Sequence, residues 1–186
     1  LAIMEISDIW EPDRAKEATL VFGTNDDKHP GVNHLLNESN PIYVGGSLKC
    51  IDLPHHYDYK NLRHSPKALK KKFQEMGWNK IVAFQTRNPL HRAHVEMTLK
   101  AIKELDANLL IHPVVGMTKP GDVDHYTRVR CYNHVLDRYP DNSAILSLLP
   151  LAMRMGGPRE ALLHAMIRKN YGCTHLIVGR DHAGPG

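Results

Sequence analysis

Long hydrophobic runs are missing from this 186-residue chain. No uninterrupted apolar stretch approaches the ~18 residues that a membrane span requires, so no membrane role is expected. The first residues do not read as a signal peptide, and the chain starts at Leu1 and stops in a glycine-rich run at Gly186, as a piece of a longer protein would. Cysteine is scarce too. Cys50, Cys131 and Cys173 lie far apart, with no zinc or redox spacing, which excludes a disulfide scaffold and fits reduced thiols in a cytoplasmic setting. Aromatic residues make up only 6%. Without an aromatic platform or a lysine run, nucleic-acid binding is not expected. The chain also lacks a P-loop, a dinucleotide-binding glycine fingerprint, HExxH and any Cys/His cluster. Its 13 histidines therefore predict no resident protein metal site; adjacent His55 and His56 face opposite ways in an extended chain. A Mg2+ ion arriving with a nucleotide needs few protein ligands and is the one cofactor expected.

What is present is a charge asymmetry and a change of rhythm. Residues 1–79 hold 10 Lys and Arg against 11 Asp and Glu, whereas residues 80–186 hold 14 against 9. The arginines of the basic half fall at the ends of apolar segments, which suits a small polyanion. In residues 1–57, short apolar stretches (2–6, 18–22, 42–44 and 48–53) alternate with turn-rich pieces, as in the end of a β-rich domain. Residues 54–59 connect this part to a short helix at 65–76, with Ser65 as cap and Pro66 at the first helical position. From residue 80 the pattern is strand, loop, helix. Strands are expected at 80–84, 108–113, 144–149 and 175–178, and helices at 89–105, about 125–138 and 158–171. Leu90, Ala93, Met97, Ala101 and Leu105 form one apolar stripe, with Asn88 expected as cap and Pro89 as first residue. Gly157-Pro158 opens the last helix and Gly172 closes it. Such alternation predicts an α/β fold with a parallel sheet, whose ligands lie beyond the carboxyl ends of the strands.

Four loops would converge on that edge, at 85–94, 112–124, 150–159 and 179–186. The first, QTRNPLHRAH, supplies Gln85, Thr86, Arg87, Asn88, His91 and His94 at a predicted helix N-terminus, where unpaired N–H groups attract phosphate or sulfate. An isolated HxxH is most often a pair of satisfied surface histidines or a metal pair; after a strand and within Thr-Arg-Asn-Pro, oxyanion binding is favoured. GRDHAGPG, from Gly179 to Gly186, reads as a simple turn or as a loop letting a nucleotide approach its backbone. Arg154, Arg159 and Lys119 are open between solvated, structural and substrate-facing roles.

These blocks resemble the ATP sulfurylase (sulfate adenylyltransferase) family in its microbial and fungal form. The resemblance runs through YVGGSL (43–48), LPHHYDY (53–59), VAFQTRNPLHRAH (82–94), HPVVGMTKPGDVDH (112–125), PLAMRMGGPREA (150–161), IRKNYG (167–172) and IVGRDHAGPG (177–186). It implies the tail of a PUA-like N-terminal domain over 1–57, then a Rossmann-like, HxGH-type nucleotidyltransferase domain over 58–186, truncated at its C-terminus. Ala93 stands where the wider superfamily motif has glycine. The implied substrates are ATP and sulfate, and the implied products adenosine 5′-phosphosulfate and pyrophosphate. By the resemblance, Thr86, Arg87, Asn88 and His91 are catalytic, and Gln85, Arg87 and Ala183 hold sulfate. Gln85 to Asn88, His91, His94, Gly179, Arg180, Asp181 and His182 contact ATP. A homo-oligomer is implied as well. The alternatives are a related nucleotidyltransferase with another acceptor and a catalytically inactive regulatory homologue.

Overall fold

Strands that are apolar on both sides must be covered on both sides, and short parallel strands meet that demand by alternating with helices. The computed structural model describes residues 1–116 and 121–184. Lys119 and the end of GRDHAGPG lie outside the described residues. The chain runs β1 (Ala2–Trp10), α1 (Arg14–Phe22), α2 (Pro30–Asn33), a π-helical turn (His34–Glu38), β2 (Tyr43–Cys50) and a 3-10 turn (Lys60–Leu62). It continues through α3 (Pro66–Glu75), β3 (Ile81–Phe84), α4 (Arg92–Leu105), β4 (Asn108–Ile111), α5 (His125–Leu136), β5 (Ala144–Leu146), α6 (Pro158–Asn170) and β6 (His175–Ile177).

Strands β3 to β6 form one parallel sheet in the order β5-β4-β3-β6. The chain builds outward from β3 to β4 and β5, then returns to place β6 on the other side of β3. Strand order therefore reverses between β3 and β6, and a crevice opens at such a switch point beyond the strand ends. The pleat sorts the core into two layers. Ile81, Ala83 and Leu110 pack with Leu69 and Phe73 of α3, Trp78 and Tyr171. Phe84, Leu109 and Ile111 pack on the opposite face with Val95 and Ile102 of α4 and Val129 and Tyr132 of α5.

Residues 1–57 differ from the β-rich expectation between the two strands, where α1, α2 and the π-helical turn make most of residues 14–38 helical. β1 and β2 form an antiparallel ribbon from Ala2 opposite Cys50 to Trp10 opposite Tyr43. The apolar stretch 18–22, however, is helical: the Asp13 carboxylate caps α1 by accepting the Lys16 N–H at 3.0 Å, and Gly23 closes it at φ +75°. This segment touches the sheet domain at the 154–156 loop. His29 Nε2 bonds the Met155 carbonyl at 2.9 Å, and a Cβ on Gly31 would stand 2.5 Å from the Arg154 carbonyl oxygen.

Two helices depart from sequence logic. α4 begins at Arg92 rather than Pro89, because Thr86 closes the preceding turn on Asn88 and His91 is extended at φ −125°, ψ 174°. α6 is inverted: Glu160, His164 and Arg168 are 6%, 0% and 1% exposed, whereas Leu162, Leu163 and Met166 are 65%, 47% and 58% exposed. The buried stripe, at i, i+4 and i+8, is the polar one. The Ser65 cap on α3 is as expected, accepting the Ala68 N–H at 3.2 Å.

Candidate active site

The β3 loop leaves the sheet beside β6 and is held from three sides. Its main chain continues the sheet, with the His112 N–H donating to the Phe84 carbonyl at 2.9 Å and the Val114 N–H to the Thr86 carbonyl at 3.1 Å. Thr86 Oγ1 donates to the Asn88 carbonyl at 2.9 Å and accepts the Asn88 N–H at 3.0 Å. From α5, Arg128 Nη1 donates to the carbonyls of Arg87 (2.9 Å) and Val114 (3.0 Å), and the Tyr132 hydroxyl donates to the Asn88 carbonyl at 2.9 Å. A loop whose carbonyls are bound in this way presents fixed side chains rather than a mobile surface.

Those side chains divide by environment. Gln85 is buried; its Nε2 makes a weak 3.5 Å contact with Met153 Sδ, and its buried Oε1 has no partner among the described residues. A buried acceptor left open is costly unless something occupies it. Arg87 places Nη1 against both oxygens of Asp122, at 2.6 and 2.7 Å. Asn88 and His91 are exposed, and His94 is half-buried.

His91 and His94 stack with ring centroids 3.9 Å apart. His91 is the N-cap of α4, and His94 Nδ1 accepts its N–H over a long 3.4 Å. Burial, and then the neighbouring His91 ring, lower the pKa of His94. A neutral His94 that accepts at Nδ1 carries its proton on Nε2, so it offers a donor to an oxyanion.

Facing this loop is the β6 loop, residues 179–184. Gly179, Arg180 and Asp181 are exposed, and His182 and Ala183 half-buried. Ala183 is held at φ +57°, and its carbonyl accepts the Gly157 N–H at 3.0 Å. That conformation is strained for a residue with a Cβ and recurs at ligand-binding turns. A Cβ on Gly184 would fall 2.0 Å from Asp181 Oδ1, so a larger residue there would displace the exposed Asp181 carboxylate. The two loops follow neighbouring strands, and Met153, which Gln85 Nε2 approaches at 3.5 Å, belongs to the core cluster against which Ala183 packs.

Of the sequence-predicted residues, Gln85, Thr86, Arg87, Asn88, His91 and His94 share one loop and helix start, while Gly179 to Ala183 stand on the adjacent strand end. Arg154 and Arg159 are exposed; the 153–157 loop is tied instead by Glu160, whose carboxylate accepts the N–H groups of Arg154 (3.0 Å) and Gly156 (2.8 Å). Sequence reasoning missed Asp122, Arg128, Tyr132, Glu160 and His164 as supports. The only available hints were the i, i+4 spacings of Arg128 with Tyr132 and of Glu160 with His164. Among the described residues, no group of three or more His, Cys, Asp or Glu is arranged to hold a metal, and no helix is long and apolar enough to cross a membrane.

A parallel sheet covered by helices on both faces, with loops rich in hydrogen-bonding side chains at its switch point, places the chain in the nucleotide-binding α/β class. A family model described as ATP-sulfurylase matches residues 60–186, and a PUA-like domain model matches residues 1–53. The chain belongs to the ATP-sulfurylase family. It is 60% identical over 186 residues to the sulfate adenylyltransferase of Phaeosphaeria nodorum and 59% identical to that of Schizosaccharomyces pombe, covering all of this chain but 32% and 38% of those proteins. The chain thus spans about a third of the length of the curated relatives it matches. A solved structure, the hexameric APS kinase from Thiobacillus denitrificans, superimposes with a TM-score of 0.75 at 32% identity, covering 97% of this chain and 31% of that one.

Proposed function

We propose that the protein carrying this chain is a sulfate adenylyltransferase. Sulfate attacks the α-phosphorus of ATP, a new bond forms between a sulfate oxygen and that phosphorus, the α–β bridging bond breaks, and pyrophosphate leaves with the electron pair. The observation that carries the reading is that the Gln85 to His94 loop and the Ala183 turn follow the neighbouring parallel strands β3 and β6 at the sheet's switch point, in a family whose relatives bear that activity by name.

The chemistry asks little of a general base. Sulfate is deprotonated at neutral pH, so the difficulty is bringing two anions together and neutralising charge at the bridging and leaving oxygens. Gln85, Arg87 and the Ala183 backbone hold sulfate; a guanidinium fork suits a tetrahedral oxyanion. Thr86, Arg87 and Asn88 position the reacting groups, His91 stabilises the developing charge, and His94 donates to the phosphate chain. Gln85 to Asn88 and Gly179 to His182 contact ATP. Mg2+ enters on the ATP phosphates. The side chains of the β3 loop are amides, a hydroxyl, a guanidinium and imidazoles, a set suited to oxyanions rather than to a bare cation. The remaining assignments are a PUA-like tail over residues 1–57, a nucleotidyltransferase domain over 58–186, a cytoplasmic homo-oligomer and a role in sulfate assimilation.

The test is sulfate-dependent pyrophosphate release by the intact protein. Arg87→Ala should lower turnover by about a thousandfold or more, and Arg87→Lys should not restore it. Near-normal turnover in Arg87→Ala overturns the reading.

A further inference from the structure

Two arginines are buried where the strands of the sheet end, and neither has a carboxylate beside it. Arg128, on α5, is 3% exposed and donates to the carbonyls of Arg87 and Val114. Arg168, on α6, is 1% exposed and donates from Nη2 to the His112 carbonyl at 3.0 Å. α5 packs on one face of the sheet and α6 on the other, so the ends of β3 and β4 lie between the two guanidinium groups. Among the described residues neither arginine forms an ion pair, and Arg128 Nε, Arg168 Nε and Arg168 Nη1 have no hydrogen-bond partner.

Burial on these terms is costly. A carbonyl oxygen carries only a partial charge, so it satisfies a donor without cancelling the cation, and buried charges are normally paired. Burial pulls the Arg168 pKa down to about 10, opposed by Cys173 and Tyr171 but by no carboxylate. The group is still a cation at neutral pH. Glu160, on the same buried stripe of α6, lies eight residues away, about 12 Å along the helix, and is held by the N–H groups of Arg154 and Gly156. In the β3 loop the charge of Arg87 is offset by Asp122 at 2.6 Å. Arg128 and Arg168 are therefore uncancelled positive charge beside the crevice. The influence of Arg168 extends to the β6 loop, where burial, then His164 and Arg168, lower the pKa of His182. A charge acts over a longer distance through a low-dielectric interior than through water.

We infer that Arg128 and Arg168 are specificity-determining residues: two buried charges, one on each face of the sheet, that favour the triphosphate of ATP over less charged nucleotides without touching it. Contact with the phosphates stays with the β3 loop. The cost of burying the two cations is offset when a polyanion occupies the crevice, and is offset further as the charge of that polyanion grows. This rests on reading the crevice as the ATP site and adds what sets its preference for phosphate number.

The experiment measures binding of AMP, ADP and ATP to the intact protein by titration calorimetry in about 0.3 M KCl, which screens exposed charges far more than buried ones. Each added phosphate brings about one more negative charge. Arg168→Gln keeps an amide donor for the His112 carbonyl but loses the cation. Its affinity should drop by about a further threefold at each step from AMP to ADP to ATP, so that the ATP-to-AMP affinity ratio falls about tenfold. Arg168→Lys keeps the charge and should keep the ratio. Arg128→Gln should show the same graded loss from the opposite face, and it carries the test alone where the Arg168 variants do not fold. An unchanged ratio in either folded glutamine variant, loss of the ratio in Arg168→Lys, or a loss confined to one phosphate overturns the inference. No ATP binding by the unsubstituted protein overturns both this and the proposed function. The graded losses without sulfate-dependent pyrophosphate release overturn the proposed reaction alone.

Discussion

Asp122 grips Arg87 by one corner. Both carboxylate oxygens reach the same terminal nitrogen, Nη1, at 2.6 and 2.7 Å, with the side chains only 8% and 15% exposed. A guanidinium has five N–H donors in a rigid plane, so a carboxylate on one nitrogen fixes the plane and leaves the remaining donors directed elsewhere. Asp122 thus orients Arg87 for a second oxyanion. Asp122→Asn should raise the KM for sulfate about tenfold with a smaller effect on the KM for ATP. Initial rates with sulfate varied at saturating ATP decide it. An unchanged or lower sulfate KM would mean that Asp122 competes with the anion instead of aiming its receptor.

The α5 supports make a prediction about stability and rate together. Tyr132 is fully buried and Arg128 nearly so, and between them they satisfy the carbonyls of Arg87, Asn88 and Val114. Tyr132→Phe removes one bond and leaves Asn88 still accepting from Thr86, at about 1 kcal/mol. Arg128→Met strands two carbonyls and should cost about 3 kcal/mol. Both should lower kcat more than their stability loss accounts for, because the loop they hold carries Arg87. Urea denaturation alongside steady-state kinetics of the intact protein checks this; full turnover in Arg128→Met would show that the loop keeps its shape without help.

Acid sensitivity should start near neutrality. His112 is fully buried, and neither ring nitrogen has a partner among the described residues. Burial, reinforced by the nearby charges of Arg168 and His64, holds its pKa well below the ordinary 6.5. The unfolded chain takes up a proton below about pH 6.5 that the folded chain refuses, so stability is complete above that pH and declines as pH falls, by at most about 1.4 kcal/mol per unit. His112→Phe should flatten the urea midpoint between about pH 6.5 and 5. Parallel profiles for the two proteins would place the acid sensitivity elsewhere.

How far the sequence was legible follows from which physics is local. Ser65 and Pro66 announced the start of α3 because a cap and its first turn are neighbours in the chain. The apolar runs at β3 and β4 announced a buried parallel sheet for the same reason. The register of α4 was misjudged by three residues, since Thr86 captures Asn88 in a turn before it can act as a cap. The stretch 18–22 looked like strand because the Asp13 cap and the Gly23 stop were not weighed against its apolar content.

The amino-acid order alone dictated an alternating α/β architecture, a basic loop after β3 and a glycine-rich turn after β6, because periodicity, capping and backbone freedom act over a few residues. Folding decided the rest. It set β6 beside β3 so that the two loops follow neighbouring strands, brought Asp122 to Arg87 across 35 positions, and turned the polar side of α6 inward while leaving its leucines exposed. Those choices depend on desolvation and pairing between distant groups, which appear only when the sheet has closed over them.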